Sequence, residues 1–113
     1  MVLGLHHLVL FYRDTEVARD WLWRAGFSYL RGHERMHWFQ LGEAEIMVHP
    51  ADRSSGGGPV IHVTVANAKV HFDNVRAQGL EPQDHQRPGV LLDGPVTRPW
   101  GAVEFELQDP EGH

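Results

Sequence analysis

Two short patterns recur at a single spacing. Asp14 and Gly26 stand 12 residues apart, Asn67 and Gly79 do the same, and the second pair follows the first by 53 residues. Asp or Asn caps the first-turn amides of a helix, and glycine accepts the left-handed conformation that ends one, so each pair frames a short helix. Val17 with Val70, Asp20 with Asp73 and Leu22 with Val75 match at the same offset. A repeat of this kind limits a chain of 113 residues to two related supersecondary units that share the work of building a core.

The flanking segments extend the plan. Leu5 to Tyr12 and Val60 to Val65 precede the two caps, are rich in β-branched or aromatic residues and are too short for helices, so both read as strands. In the first helix Val17, Ala18, Trp21, Leu22 and Ala25 share an apolar face; in the second, Val70 and Val75 repeat it. Met36 to Leu41, a Gly42-Glu43 turn and Ala44 to His49 then read as a hairpin, and Val90 to Leu92 and Ala102 to Gln108 as their second-half counterparts. The expected architecture is α+β, a βαβββ unit used twice in one domain. Module 1 spans 1–50, a Pro/Gly/Ser-rich linker 51–59, and module 2 60–113. Asp109-Pro110-Glu111-Gly112 is a type I turn sequence whose returning strand, the match of Ala44 to His49, is expected either beyond His113 or not at all.

Composition removes several function classes. Ten Lys and Arg against 15 Asp and Glu give a formal charge of -5, which offers no basic field for nucleic acid or anionic lipid. No cysteine is present, so disulfides, thiolate nucleophiles and Cys-ligated zinc are excluded, and any metal must take nitrogen and oxygen ligands. The apolar N-terminus lacks a basic lead, is broken by His6 and His7 and meets Arg13 and Asp14 at once, unlike a secretory signal; a cytoplasmic location is the expectation.

Strand parity sorts the remaining side chains. Leu8, Leu10, Tyr12, Phe39, Leu41, Ile46, Val48, Ile61, Val63, Val65, Val103, Phe105 and Leu107 fall on the faces expected beneath the helices. The opposite parity carries His7, Val9 and Phe11; Met36, Trp38 and Gln40; Glu45, Met47 and His49; His62; and Glu104 and Glu106. Such a mixed face, curved in two repeats, is expected to line a pocket with apolar walls and a few polar anchors. His33, His37, His71 and His85 fall on loops, edges or the second helix, where solvated or capping roles are expected.

Two stretches, His7-Leu-Val-Leu-Phe-Tyr-Arg-Asp14 and Pro99-Trp-Gly-Ala-Val-Glu-Phe-Glu-Leu-Gln-Asp-Pro-Glu-Gly-His113, resemble the vicinal oxygen chelate superfamily, which includes glyoxalases, bleomycin-resistance proteins and extradiol dioxygenases. The resemblance implies a curved, incompletely closed mixed sheet around a pocket, with the second module lacking its last strand. It also implies a homodimer. Metal-dependent members carry a His on the first strand of each module and a carboxylate on the last. His7 matches the first position; Val60 occupies the next, with His62 roughly 6.6 Å further along the strand. Met47 falls near the first carboxylate position, and a thioether suits a hard divalent ion poorly.

The favoured expectation is therefore a metal-independent protein that sequesters a planar or amphipathic small molecule. Phe11, Trp38, Met47 and Trp100 would supply apolar contact, and His7, His62, Glu45 and Glu104 would orient polar groups. One alternative is a metal-dependent lyase, isomerase or dioxygenase with Zn, Ni, Fe or Mn on His7, His62, Glu45 and Glu104, acting on vicinal-oxygen substrates. The other is a ligand-free homodimeric interaction module.

Overall fold

A computed structural model describes residues 1–113. The chain divides into two compact units: Met1–Trp23, Phe27–His62 and Gln108–His113 form the first, Arg24–Gly26 and Val63–Leu107 the second.

The first unit completes the βαβββ plan. Strand β1 (His7–Tyr12) leads into helix α1 (Thr15–Arg24), followed by β2 (Tyr29–His33), β3 (Met36–Leu41) and β4 (Ala44–Pro50). The sheet order is β1-β4-β3-β2, with β1 parallel to β4 and the other pairs antiparallel. Gly42, at φ 59°, makes the tight turn between β3 and β4, where Leu41 pairs with Ala44. All five positions of β2 are exposed, so it carries no apolar alternation by which to read it from sequence. Beneath α1, Ala18 and Leu22 pack with Tyr12, Phe39, Ile46 and Val48, each nearly or wholly buried. The expected core parity of this sheet therefore holds. Two residues depart from expectation: Val17 is exposed on α1, and His37 is buried on the core side of β3 rather than solvated. His37 is tolerated there because Tyr29 Oη lies 2.9 Å from Nδ1 and Glu16 Oε1 2.7 Å from Nε2.

The 53-residue repeat reaches the backbone. Val17 N–H donates to Asp14 Oδ1 and Val70 N–H to Asn67 Oδ1; Ala18 N–H donates to Asp14 O and His71 N–H to Asn67 O. At the far ends, Phe27 N–H reaches Leu22 O and Leu80 N–H reaches Val75 O, across Gly26 (φ 103°) and Gly79 (φ 83°). Both closures are the six-to-one bond of a Schellman ending.

In the second unit α2 (Ala68–Ala77) buries Phe72 and Val75, joined by Leu80, Pro82 and Leu92. Val70 is exposed, so the buried stripe runs through Phe72 instead. The expected strands are mostly missing: 60–65 and 90–92 form none, and 102–108 keeps only β6 (Val103–Glu104), paired with β5 (Val96–Thr97), plus a single bridge between Gln83 and Glu106. Ile61, Val63 and Val103 are accordingly exposed rather than core. β1 is held by β4 in the first unit, whereas 60–65 pairs with no strand. The turn at 109–112 forms as expected, Gly112 N–H donating to Asp109 O. No helix is long and apolar enough to cross a membrane.

Candidate functional site

Five of the eight expected site residues lie on one sheet face of the first unit. The register sets His7 beside Glu45, Val9 beside Met47, Phe11 beside His49, and Trp38 beside Met47. Their core-side neighbours Ile46, Val48 and Phe39 are buried, which leaves this row turned away from the core. Met36, Trp38, Glu45, Met47 and His49 are half-buried, while His7 and Phe11 are exposed. The Phe11 and His49 rings meet edge to face, 5.5 Å between centroids.

One residue on this face escaped the sequence reading. Arg31, on β2, pairs with Trp38; its guanidinium carbon lies 5.0 Å from the Trp38 ring centroid, and its two terminal nitrogens reach the Glu45 carboxylate at 3.0 and 2.7 Å. The bidentate hydrogen bond from Arg31 holds the Glu45 carboxyl below the usual glutamate range, and Glu45 in turn raises Arg31. A planar cation is thus stacked on the indole and paired with the acid beside it. The signal was available only once β2 and its register were known.

The other expected residues lie elsewhere. His62 is exposed in the first unit, outside the strand row. In the second unit Trp100 is 70% exposed at the turn between β5 and β6, and Glu104 accepts from Arg98 Nε at 2.9 Å. Arg98, also missed, is buried; its terminal nitrogens bind both oxygens of buried Asp84, at 2.9 and 3.3 Å. That hydrogen bonding depresses the Asp84 carboxyl to about 2. Two surface depressions of the first unit, of 430 and 320 Å³, are lined by Arg13, Arg35, Pro50, Ala51 and Asp52, and by Arg19, Asp20, Trp23 and Tyr29. Neither includes a residue of the Trp38 row.

A divalent ion fits these residues poorly. His7, Glu45 and His62 do not converge as a ligand set, and Glu45 and Glu104 each already hold a guanidinium. One triad does converge: Asp84, His85 and Glu106 present ligand atoms within 4.8 Å of one another. Yet Asp84 is bound by Arg98 and Arg87, and Glu106 accepts from the His85 backbone and contacts its ring. A cation entering there would meet Arg98, whose buried guanidinium is already paired with Asp84.

No protein-family model matches the chain, and no curated protein does. Solved structures do. TioX from Micromonospora sp. ML1 is 23% identical, with 98% of this chain and 94% of that one covered and a TM-score of 0.66. A lactoylglutathione lyase from Agrobacterium tumefaciens is 15% identical, over 99% and 90%, at 0.61. A glyoxalase/bleomycin resistance protein/dioxygenase from Nocardioides is 15% identical, over 100% and 80%, at 0.72. The chain has the fold of the vicinal oxygen chelate superfamily, as the two sequence stretches led us to expect. A shared fold carries many chemistries, so the reaction or ligand has to be argued from the site.

Proposed function

We propose that this protein binds a small planar or amphipathic molecule, without a metal, on the Trp38 face of its first unit, and acts by sequestering it. The observation that carries the reading is Arg31: a flat cation stacked on Trp38 and hydrogen-bonded to Glu45 is a ready-made image of the ligand this face accepts. The Arg31 side chain is 54% exposed, and ion pairs of that kind are held weakly, so an incoming aromatic cation can replace the guanidinium over the indole and take the Glu45 carboxylate in its turn. Met47 and Phe11 extend the apolar floor, and His7, beside Glu45, offers a second polar anchor. The formal charge of -5 favours a cationic ligand over an anionic one.

His62, exposed in the same unit, belongs to the reading as a further ligand contact, and a second copy of the chain and a cytoplasmic setting complete it. A metal-dependent lyase or dioxygenase has less support, because the carboxylates it needs are engaged by arginines. The discriminating experiment is metal analysis by plasma mass spectrometry on protein purified without chelator, alongside binding of an acridine dye. Dye binding by metal-free protein supports the proposal. Stoichiometric metal that is lost in His7→Ala, or in His85→Ala, overturns it.

A further inference from the structure

The linker and the C-terminal turn of the first unit bring together three side chains that the binding site does not use. Ser55 Oγ lies 2.7 Å from His113 Nε2, and His113 Nδ1 lies 2.9 Å from Asp109 Oδ2. We propose that Ser55 is an activated nucleophile, with His113 as its general base and Asp109 as the group that orients the imidazole, and that it attacks small activated carboxylic esters.

The hydrogen-bond inventory assigns the protons. Asp109 is buried, and its Oδ1 accepts the backbone N–H groups of Glu111 and His113 at 3.0 and 2.9 Å, while Oδ2 accepts the Tyr12 hydroxyl at 2.6 Å. With three donors already on it, the Asp109 carboxyl group faces His113 Nδ1 as an acceptor, so in this arrangement Nδ1 donates and Nε2 faces Ser55 as the acceptor. The imidazole cannot swing away easily: its ring packs on that of Tyr12, with centroids 4.4 Å apart. Ser55 is held as well. Its Oγ accepts the Phe11 N–H at 2.9 Å, with Phe11 O further off at 3.5 Å, and its own N–H donates to Phe11 O. Gly56 is required beside it, since a Cβ there would sit 1.9 Å from Glu111 O. Ser55 itself is half-buried, so solvent and a small reagent reach it.

The order nucleophile, imidazole, carboxylate is that by which a weak hydroxyl becomes reactive. Ser55 Oγ forms a bond to the ester carbonyl carbon as its proton passes to His113 Nε2. The tetrahedral adduct then expels the alcohol oxygen, which takes that proton. Water, deprotonated by Nε2, attacks the acyl-serine, and Ser55 leaves with the proton returned. The sum is ester plus water to acid plus alcohol, with no other reactant.

Adjacent Ser54 is the internal control, because its hydroxyl donates to Glu111 O and faces no base. The test is incubation of the full chain with a fluorophosphonate, intact mass and peptide mapping. A single adduct on Ser55 with Ser54 unmodified, formed roughly 100-fold more slowly in His113→Gln and absent in Ser55→Ala, is the expected result. No adduct, an adduct shared with Ser54, or an unchanged rate in a folded His113→Gln overturns the proposal. Should His113→Gln fail to fold by circular dichroism, the Ser55 to Ser54 selectivity of the unaltered protein decides.

Discussion

The Arg31 guanidinium lies over the Trp38 indole, 5.0 Å from its centroid, across the β2–β3 pairing. This contact is the observation on which the proposed binding face rests. Replacing Trp38 by Ala is expected to weaken binding of an acridine dye by about 1–2 kcal/mol, roughly five- to thirty-fold in Kd, since it removes the stacking partner. The fold should survive, because Trp38 points away from the core.

Phe39, one residue along, is the control. It is fully buried beneath α1, and Phe39→Ala is expected to cost about 3–5 kcal/mol of stability by denaturant titration. Equal stability losses at Trp38 and Phe39 would place Trp38 in the core and remove the proposed site.

The two helix caps occupy matching positions of the repeat. Asp14→Ala removes the acceptor of the Glu16 and Val17 amides, Asn67→Ala that of the Val70 amide, and each is expected to cost about 0.5–2 kcal/mol, with the Asp14 loss the larger. Chemical denaturation of the two variants checks this.

The Arg98–Asp84 pair makes the second unit acid-sensitive. Asp84 is depressed from its ordinary 3.8 to about 2 when folded, so the stability it contributes is present above 3.8 and is lost as pH falls from 3.8 toward 2, while Arg98 stays charged. An acid titration followed by circular dichroism should show an unfolding limb in that window, and Asp84→Asn should flatten the limb while lowering stability at neutral pH.

Tyr12 and Asp109 anchor the C-terminal turn to the sheet. Burial raises the Tyr12 phenol, and its hydrogen bond to Asp109 raises it further, so this interaction is fully present below the ordinary phenol range and is lost only as alkali drives the proton off. Tyr12→Phe is expected to cost about 1.5–3 kcal/mol, the range for a hydrogen bond to a charged group, measured by thermal or denaturant unfolding.

What could be read from the sequence was local. Asp14, Asn67, Gly26 and Gly79 announce their helices because a cap acts within four residues, and the alternation through Phe39, Ile46 and Val48 announces a half-buried sheet because its period is two. Pairing is not local. Val60 to Val65 has strand composition but no strand to lie against, and β2 forms on exposed residues because β3 supplies its hydrogen bonds. The same reason hid the chemistry. Arg31 meets Glu45 only through the sheet register, Arg98 meets Asp84 only through the loops of the second unit, and Ser55 meets His113 across 58 residues of chain.

The most direct test of metal-independent binding on the Trp38 face is a calorimetric titration of the full chain with an acridine dye in the presence of EDTA, repeated with Trp38→Ala. Saturable binding with one site per chain, undiminished by the chelator and weakened five- to thirty-fold by the substitution, is the expected result. Binding that vanishes in EDTA and returns with added Zn, Ni, Fe or Mn, or binding indifferent to Trp38, would contradict the account.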